Sequence, residues 1–293
     1  MRNLFILLLG TILLLACSPE GNQKNTTPIG DWRHHGGNHR SEKYSPLDQV
    51  NGSNFGLLEV AWRYRSPDLE LPEELAYPTG DYRAMPLVIN GVMYVNSNHG
   101  LISALDPVTG EEHWVFDPKS YEYGPPLFSP LQTRGIEYWT DGNIERLFIA
   151  TSGKQLVSVD IETGQPDPNF GDDGYVDLRE NFGRFEFEMN NITHGAPPIA
   201  VGSTVVVGSK IYDYPMYNRS PPGHVRAYDA YTGQFKWRFN TIPQAGEFGN
   251  ETWENDSWRV AGNTNVWTYM SCLLYTSDAA DEGLGVDLGG RRI

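Results

Sequence analysis

Residues 104–114 read ALDPVTGEEHW and residues 227–237 read AYDAYTGQFKW. Both fit A-x-D-x-x-T-G-x-x-x-W, and one pattern recurring at distant points of a chain marks a repeat architecture. The residue types describe a hairpin. An aspartate ends one strand and can accept hydrogen bonds from the amides of the turn. Thr-Gly closes the corner, and the tryptophan opens the next strand as a large apolar wedge. A third copy, SVDIETGQPDP from Ser158, keeps Asp160, Thr163 and Gly164 at the same spacing but lacks the tryptophan.

Upstream of each copy lies another strand pair. PLVINGVMYV contains Asn90-Gly91, the strongest two-residue hairpin signal, and PPIAVGSTVVVGS sets Gly202-Ser203 between apolar runs. RLFIATSGKQLVSVD is expected to fill that place in the middle copy. Two hairpins in succession make a four-stranded antiparallel meander, and such units arranged radially are propeller blades with tryptophans packed between neighbours. The fold expected is therefore all-β. The composition agrees: 31 glycines, 20 prolines and 12% aromatics suit many short strands joined by tight turns. A formal net charge of -15 repels phosphate backbones, so nucleic acid is not the expected partner, and small molecules and cations fit better.

The N-terminus reads as an export signal over residues 1–16: Arg2, then an apolar stretch from Leu4 to Leu15 that is shorter than the ~20 residues of a spanning helix. Leu14-Leu15-Ala16-Cys17-Ser18 resembles the bacterial lipoprotein cleavage site, which makes Cys17 the acylated first residue and residues 17–30 a flexible tether. The location so implied is periplasmic, held to a bacterial membrane by lipid. Cys272 is the only other cysteine, and no CxxC or CxxCH occurs, which leaves neither a zinc ribbon nor a c-type haem site.

Four further stretches, taken with the repeat, carry a family likeness: DWRHHGGNHRSEKYSPLDQV (31–50), RGIEYW (134–139), PPGHVRAYDAYTGQFKWRFNTIPQAGEFGNETWENDSW (221–258) and GNTNVW (262–267). Together they resemble the pyrroloquinoline quinone (PQQ) dependent dehydrogenases, from about Asp31 to Ser271. The resemblance implies an eight-bladed β-propeller of quinoprotein type, with only about the first half present in residues 31–271, since blades take roughly 40 to 50 residues each. It implies oxidation of an alcohol or aldose sugar by hydride transfer to PQQ, assisted by calcium, with electrons passed on to a respiratory acceptor.

Residue by residue, the resemblance assigns Trp267 to the floor beneath the planar quinone, with Thr264 and Asn265 shaping the same loop. Arg134 matches the arginine that pairs with a PQQ carboxylate, and Asp213 matches a carboxylate on calcium. A second calcium ligand and the catalytic base lie beyond GNTNVW in the family, and residues 272–293 supply neither. The chain by itself is thus expected to be inactive. Phe128 and Ser129 stand where alcohol-oxidising members carry adjacent cysteines, and Pro130 where some sugar-oxidising members carry a functional histidine, so the substrate class stays open.

Lys210 and Thr193 are placed near the cofactor pocket, and Glu251, Glu254 and Asp256 at the edge of a substrate funnel. His34, His35 and His39 form a histidine-rich stretch, but the family has no metal there, so a solvated loop is expected. Residues 272–293, with CLLYTSDAADE and VDLGGRRI, resemble translated sequencing adaptor and are expected to be a non-native tail. The competing function is that of a non-catalytic propeller lipoprotein acting as an outer-membrane assembly scaffold. It accounts for Cys17 and the repeats but leaves RGIEYW, the 241–258 loop and GNTNVW unexplained.

Overall fold

The computed structural model describes residues 28–123, 131–183, 191–212 and 220–272. Among these residues the regular structure is strand, and every helical turn is a short 3₁₀ piece. The first sheet runs β1 (Leu87–Ile89), β2 (Val92–Asn96), β3 (Ile102–Leu105), β4 (Glu112–Phe116). The second runs β5 (Glu137–Thr140), β6 (Glu145–Ala150), β7 (Gln155–Asp160), β8 (Tyr175–Asp177). After β9 (Ile192–Thr193) come β10 (Ile199–Val201), β11 (Thr204–Val207), β12 (Lys210–Ile211), β13 (Val225–Asp229) and β14 (Phe235–Phe239). The third sheet is ordered β10-β11-β13-β14, while β9 and β12 pair separately. Each four-stranded sheet is an antiparallel meander, the form of a propeller blade.

The turns follow the chemistry read from the sequence. Asn90 and Gly91 take φ values of 51° and 82°, the positive pair that a tight two-residue hairpin demands. At the repeat corners, Asp106 Oδ1 accepts from the amides of Val108 and Thr109, Asp160 Oδ1 from Thr163, and Asp229 Oδ1 from Tyr231 and Thr232. In each copy the glycine amide then closes on the aspartate carbonyl: Gly110 on Asp106, Gly164 on Asp160, Gly233 on Asp229. The ladder also shifts register at the repeat alanine in both full copies, after Ala104 and after Ala227.

The middle blade departs from expectation. RLFIATSGKQLVSVD supplies β6 and β7, so the first strand of this sheet comes from the end of RGIEYW and the threonine after it, Glu137–Thr140 pairing with Glu145–Phe148. Its fourth strand is displaced as well. Pro166 has no N–H to extend a ladder and makes only an isolated bridge to Val159. The chain then leaves the sheet and returns to pair through Tyr175–Asp177.

Strand pleating sends alternate residues to opposite faces, and this decides how the sheets stack. On β6, Leu147 and Ile149 enter a core with Leu87, Ile89, Ile102 and Ala104 of the first sheet. Phe148 and Ala150, their neighbours, enter a second core with Ala200, Val205, Val207 and Tyr228 of the third. The second sheet is thereby covered on both faces. Where sheets meet, the wedge residue of one lies on the repeat glycine of the next. A Cβ at Gly164 would come within 2.5 Å of Trp114, one at Gly110 within 2.6 Å of Trp62, and one at Gly233 within 2.6 Å of Val176, which substitutes for the missing tryptophan.

Among the described residues the last sheet has no such neighbour. In register, Leu87, Tyr94, Ala104 and Trp114 form one cross-strand row, and Ile199, Val206, Ala227 and Trp237 form the matching row in the third sheet. The first row faces the second sheet. Trp237 in the other is 44% exposed, flanked by exposed Phe235 and Phe239.

Candidate functional site

Two segments remote in sequence meet beside the first strand of the second sheet. Arg134 lies three residues before β5, and its amide donates to the Gly195 carbonyl at 2.7 Å. Trp267 sits on the loop that follows the third sheet. That loop is held by the Ser209 amide donating to Val266 O at 2.9 Å, by Asn265 Nδ2 donating to Ser209 O at 2.9 Å, and by a bridge between Gly223 and Asn265. Its approach is close enough that glycine is required beneath it: a Cβ at Gly208 would collide with the Val266 carbonyl, and one at Gly223 with the Thr264 carbonyl.

The result is a stacked pair. The Arg134 guanidinium carbon lies 4.9 Å from the centroid of the Trp267 ring, a cation–π geometry. Trp267 is half exposed, and among the described residues Arg134 forms no ion pair with a carboxylate. An open indole face beside an uncompensated guanidinium can receive a flat, anionic molecule through stacking and charge together. Asn265 belongs to the loop's scaffold through its side-chain hydrogen bond, and Thr264 is exposed beside it. Tyr269 fastens the two segments, with its hydroxyl 2.9 Å from the carbonyl oxygens of both Arg83 and Arg134. Burial raises the Tyr269 phenol above its ordinary range, opposed by Arg134, so it stays protonated and able to donate.

The other residues singled out by sequence divide. Lys210 and Thr193 are paired in register across β12 and β9 and line a small cavity with Ser152 and His194. Glu251, Glu254 and Asp256 lie exposed on 3₁₀ turns, with Asp256 paired to Arg259 at 3.4 Å. Asp213 and Cys17 fall outside the described residues, as do Phe128, Ser129 and Pro130.

The histidine stretch is not a solvated loop. His34 Nδ1 lies 3.2 Å and His39 Nε2 lies 3.3 Å from Glu137 Oε1, and the two rings are 3.8 Å apart. His35 stacks on Tyr269 at 3.2 Å, with burial and then Lys43 lowering its pKa. The physical reason is Glu137, whose side chain is 4% exposed on β5 and which needs polar company inside the fold. Burial by itself pushes the Glu137 carboxyl up, but His34 and His39 outweigh it and hold the group below the usual carboxylate range. The signal for this residue was a lone carboxylate in the otherwise apolar strand IEYW.

Comparison with known proteins places these observations. Residues 32–273 match the family model described as PQQ: glucose/ethanol/alcohol dehydrogenase, β-propeller domain. Quinoprotein glucose dehydrogenase A of Acinetobacter calcoaceticus is 31% identical over 229 residues, which cover 72% of this chain and 28% of that protein. The dehydrogenase subunit of the quinone alcohol dehydrogenase of Gluconobacter oxydans is 31% identical over 215 residues, covering 73% of this chain and 25% of that one. Among solved structures, a quinohemoprotein alcohol dehydrogenase from Pseudomonas putida HK5 superposes with a TM-score of 0.63 at 26% identity, over 83% of this chain and 33% of its own. The chain thus spans about a third or less of the proteins it matches.

Proposed function

This chain belongs to the PQQ glucose/ethanol/alcohol dehydrogenase β-propeller family, and from that premise we propose that it is the N-terminal part of a periplasmic enzyme that oxidises an alcohol or an aldose sugar with PQQ and calcium. The observation that carries this reading is the Arg134 guanidinium stacked over the half-exposed Trp267 ring. In it, Trp267 offers its indole face to the planar ring system, and Arg134 takes a carboxylate through its planar fork. Asn265, tied to the Ser209 carbonyl, sets the height of the Trp267 loop. Asp213 contributes one oxygen ligand to calcium.

When bound, the quinone supplies a two-electron acceptor for hydride, with calcium polarising its carbonyl. The residues of this chain bind and orient: the stacked pair fixes the plane of the acceptor, and the half-buried, protonated Tyr269 phenol keeps the two binding segments in contact. The proton-abstracting base and the second calcium ligand are assigned to further blades of the ring, which continue the row left open at Trp237. Cys17 is assigned to a lipid anchor, and the electron acceptor to a separate respiratory partner.

The test is dye reduction by the complete polypeptide after loading with PQQ and CaCl2. Activity is expected to fall at least about tenfold in Arg134→Ala and in Trp267→Ala, in line with the loss of a charge-assisted contact or a stacking face. Unchanged turnover in both variants would remove the assignment. This chain alone is expected to show no turnover.

A further inference from the structure

His34, His39 and Glu137 present three donor atoms within 4.8 Å of one another, and we propose that they bind a divalent cation of the zinc class. The donor set selects the ion. Two imidazoles and one carboxylate suit a borderline first-row metal, whereas calcium wants six or more oxygens. The spacing fits as well. A tetrahedral zinc with bonds of about 2.0–2.1 Å sets its ligands about 3.3–3.4 Å apart, against the 3.2 Å and 3.3 Å that separate Glu137 Oε1 from His34 Nδ1 and His39 Nε2.

Two further observations point to a ligand. His39 Nε2 is buried without an aligned hydrogen-bond partner, and it borders a cavity of about 10 Å3 shared with His34, Glu137 and Tyr269, room for one ion or one water. The Glu137 carboxylate is almost fully buried, yet among the described residues it has no lysine or arginine counterion. A dication would neutralise it, and the Ala200 amide, donating to Glu137 Oε1 at 3.0 Å, already orients the carboxylate as an outer support.

Such an ion would tie the N-terminal turn to β5, whose first residue, Glu137, follows Arg134 by three positions. It would also anchor the far end of the described chain, since the Cys272 amide donates to the His39 carbonyl at 2.9 Å. The site is independent of the quinone reading, because none of its three ligands is Arg134 or Trp267.

The test is calorimetric titration of the EDTA-treated protein with ZnCl2, repeated with CoCl2 to read the visible ligand-field band of a four-coordinate ion. The expected result is one equivalent bound, with binding retained in His35→Ala. Loss of an outer support costs a metal site about 10- to 100-fold, so His39→Ala and Glu137→Gln, which remove direct ligands, are expected to weaken binding at least about 100-fold. His39 is one-third exposed, so its variant decides the matter even where circular dichroism shows Glu137→Gln unfolded. A silent titration, as for a cluster that holds only protons, would overturn the proposal. So would unchanged affinity in His39→Ala, or equal competition by CaCl2.

Discussion

Trp114 and Trp237 occupy the same position of the same repeat, pair across the strand with the equivalent repeat alanines Ala104 and Ala227, and meet different fates. Trp114 lies on Gly164 of the next sheet, whereas Trp237 stands 44% exposed and, among the described residues, no glycine has it as a near neighbour. The hydrogen-bonded meander forms in both places, so a blade's backbone is self-sufficient and its wedge is not. Stability in such an array resides at the joints between units as much as within them.

The largest effect is expected at the joint's corner. Gly164 has φ of 68°, and a Cβ there would overlap the Trp114 ring, so Gly164→Val combines a left-handed β-branched residue with a steric clash. Gly202 has φ of 54° and open space around it. Chemical denaturation is expected to register a loss of about 4 kcal/mol for Gly164→Val against about 1 kcal/mol for Gly202→Ala, the conformational cost alone. Equal losses would mean that the joint contributes nothing.

Truncating the wedges comes next. Trp114→Ala is expected to cost about 2–3 kcal/mol, because part of an indole leaves a packed joint. In this chain Trp237→Ala is expected to cost less than about 1 kcal/mol, the range of a surface change. In a polypeptide carrying further blades, the two losses should converge. A persistent difference there would show that the row ending at Trp237 is a true outer face.

The smallest effect concerns protons at the third sheet. His194 is buried against Arg226, with Nε2 3.3 Å from a guanidinium nitrogen. Burial first, then the Arg226 and Lys154 charges, hold its pKa well below 6.5. The unfolded chain therefore takes up a proton below pH 6.5 that the folded chain refuses. Stability from this group is complete above pH 6.5 and falls as the pH drops, by at most about 1.4 kcal/mol per pH unit. His194→Gln should flatten the dependence of the denaturation midpoint on pH between 6.5 and 5. An unaltered slope would place the titration elsewhere.

The hairpins were legible in the sequence because their determinants are local: aspartate to amide, glycine at positive φ, tryptophan four residues on. The displacement of β8 was not, since it depends on Pro166 failing to extend a ladder and on the chain finding β7 again after an excursion. Glu137 reads as one residue of an apolar strand until the fold sets His34 and His39 against it. The pairing of Arg134 with Trp267 came from family resemblance alone, because no periodicity links a strand entry in the second sheet to a loop after the third.

Arg134 and Trp267 are the proposed quinone-binding pair, and tryptophan fluorescence reports on it. Titrating PQQ with CaCl2 into the protein should quench tryptophan emission saturably, with the response lost in Trp267→Ala, weakened in Arg134→Ala and kept in Trp237→Ala, whose indole lies on the open blade face. Saturable binding that survives both Trp267→Ala and Arg134→Ala unchanged would contradict the account.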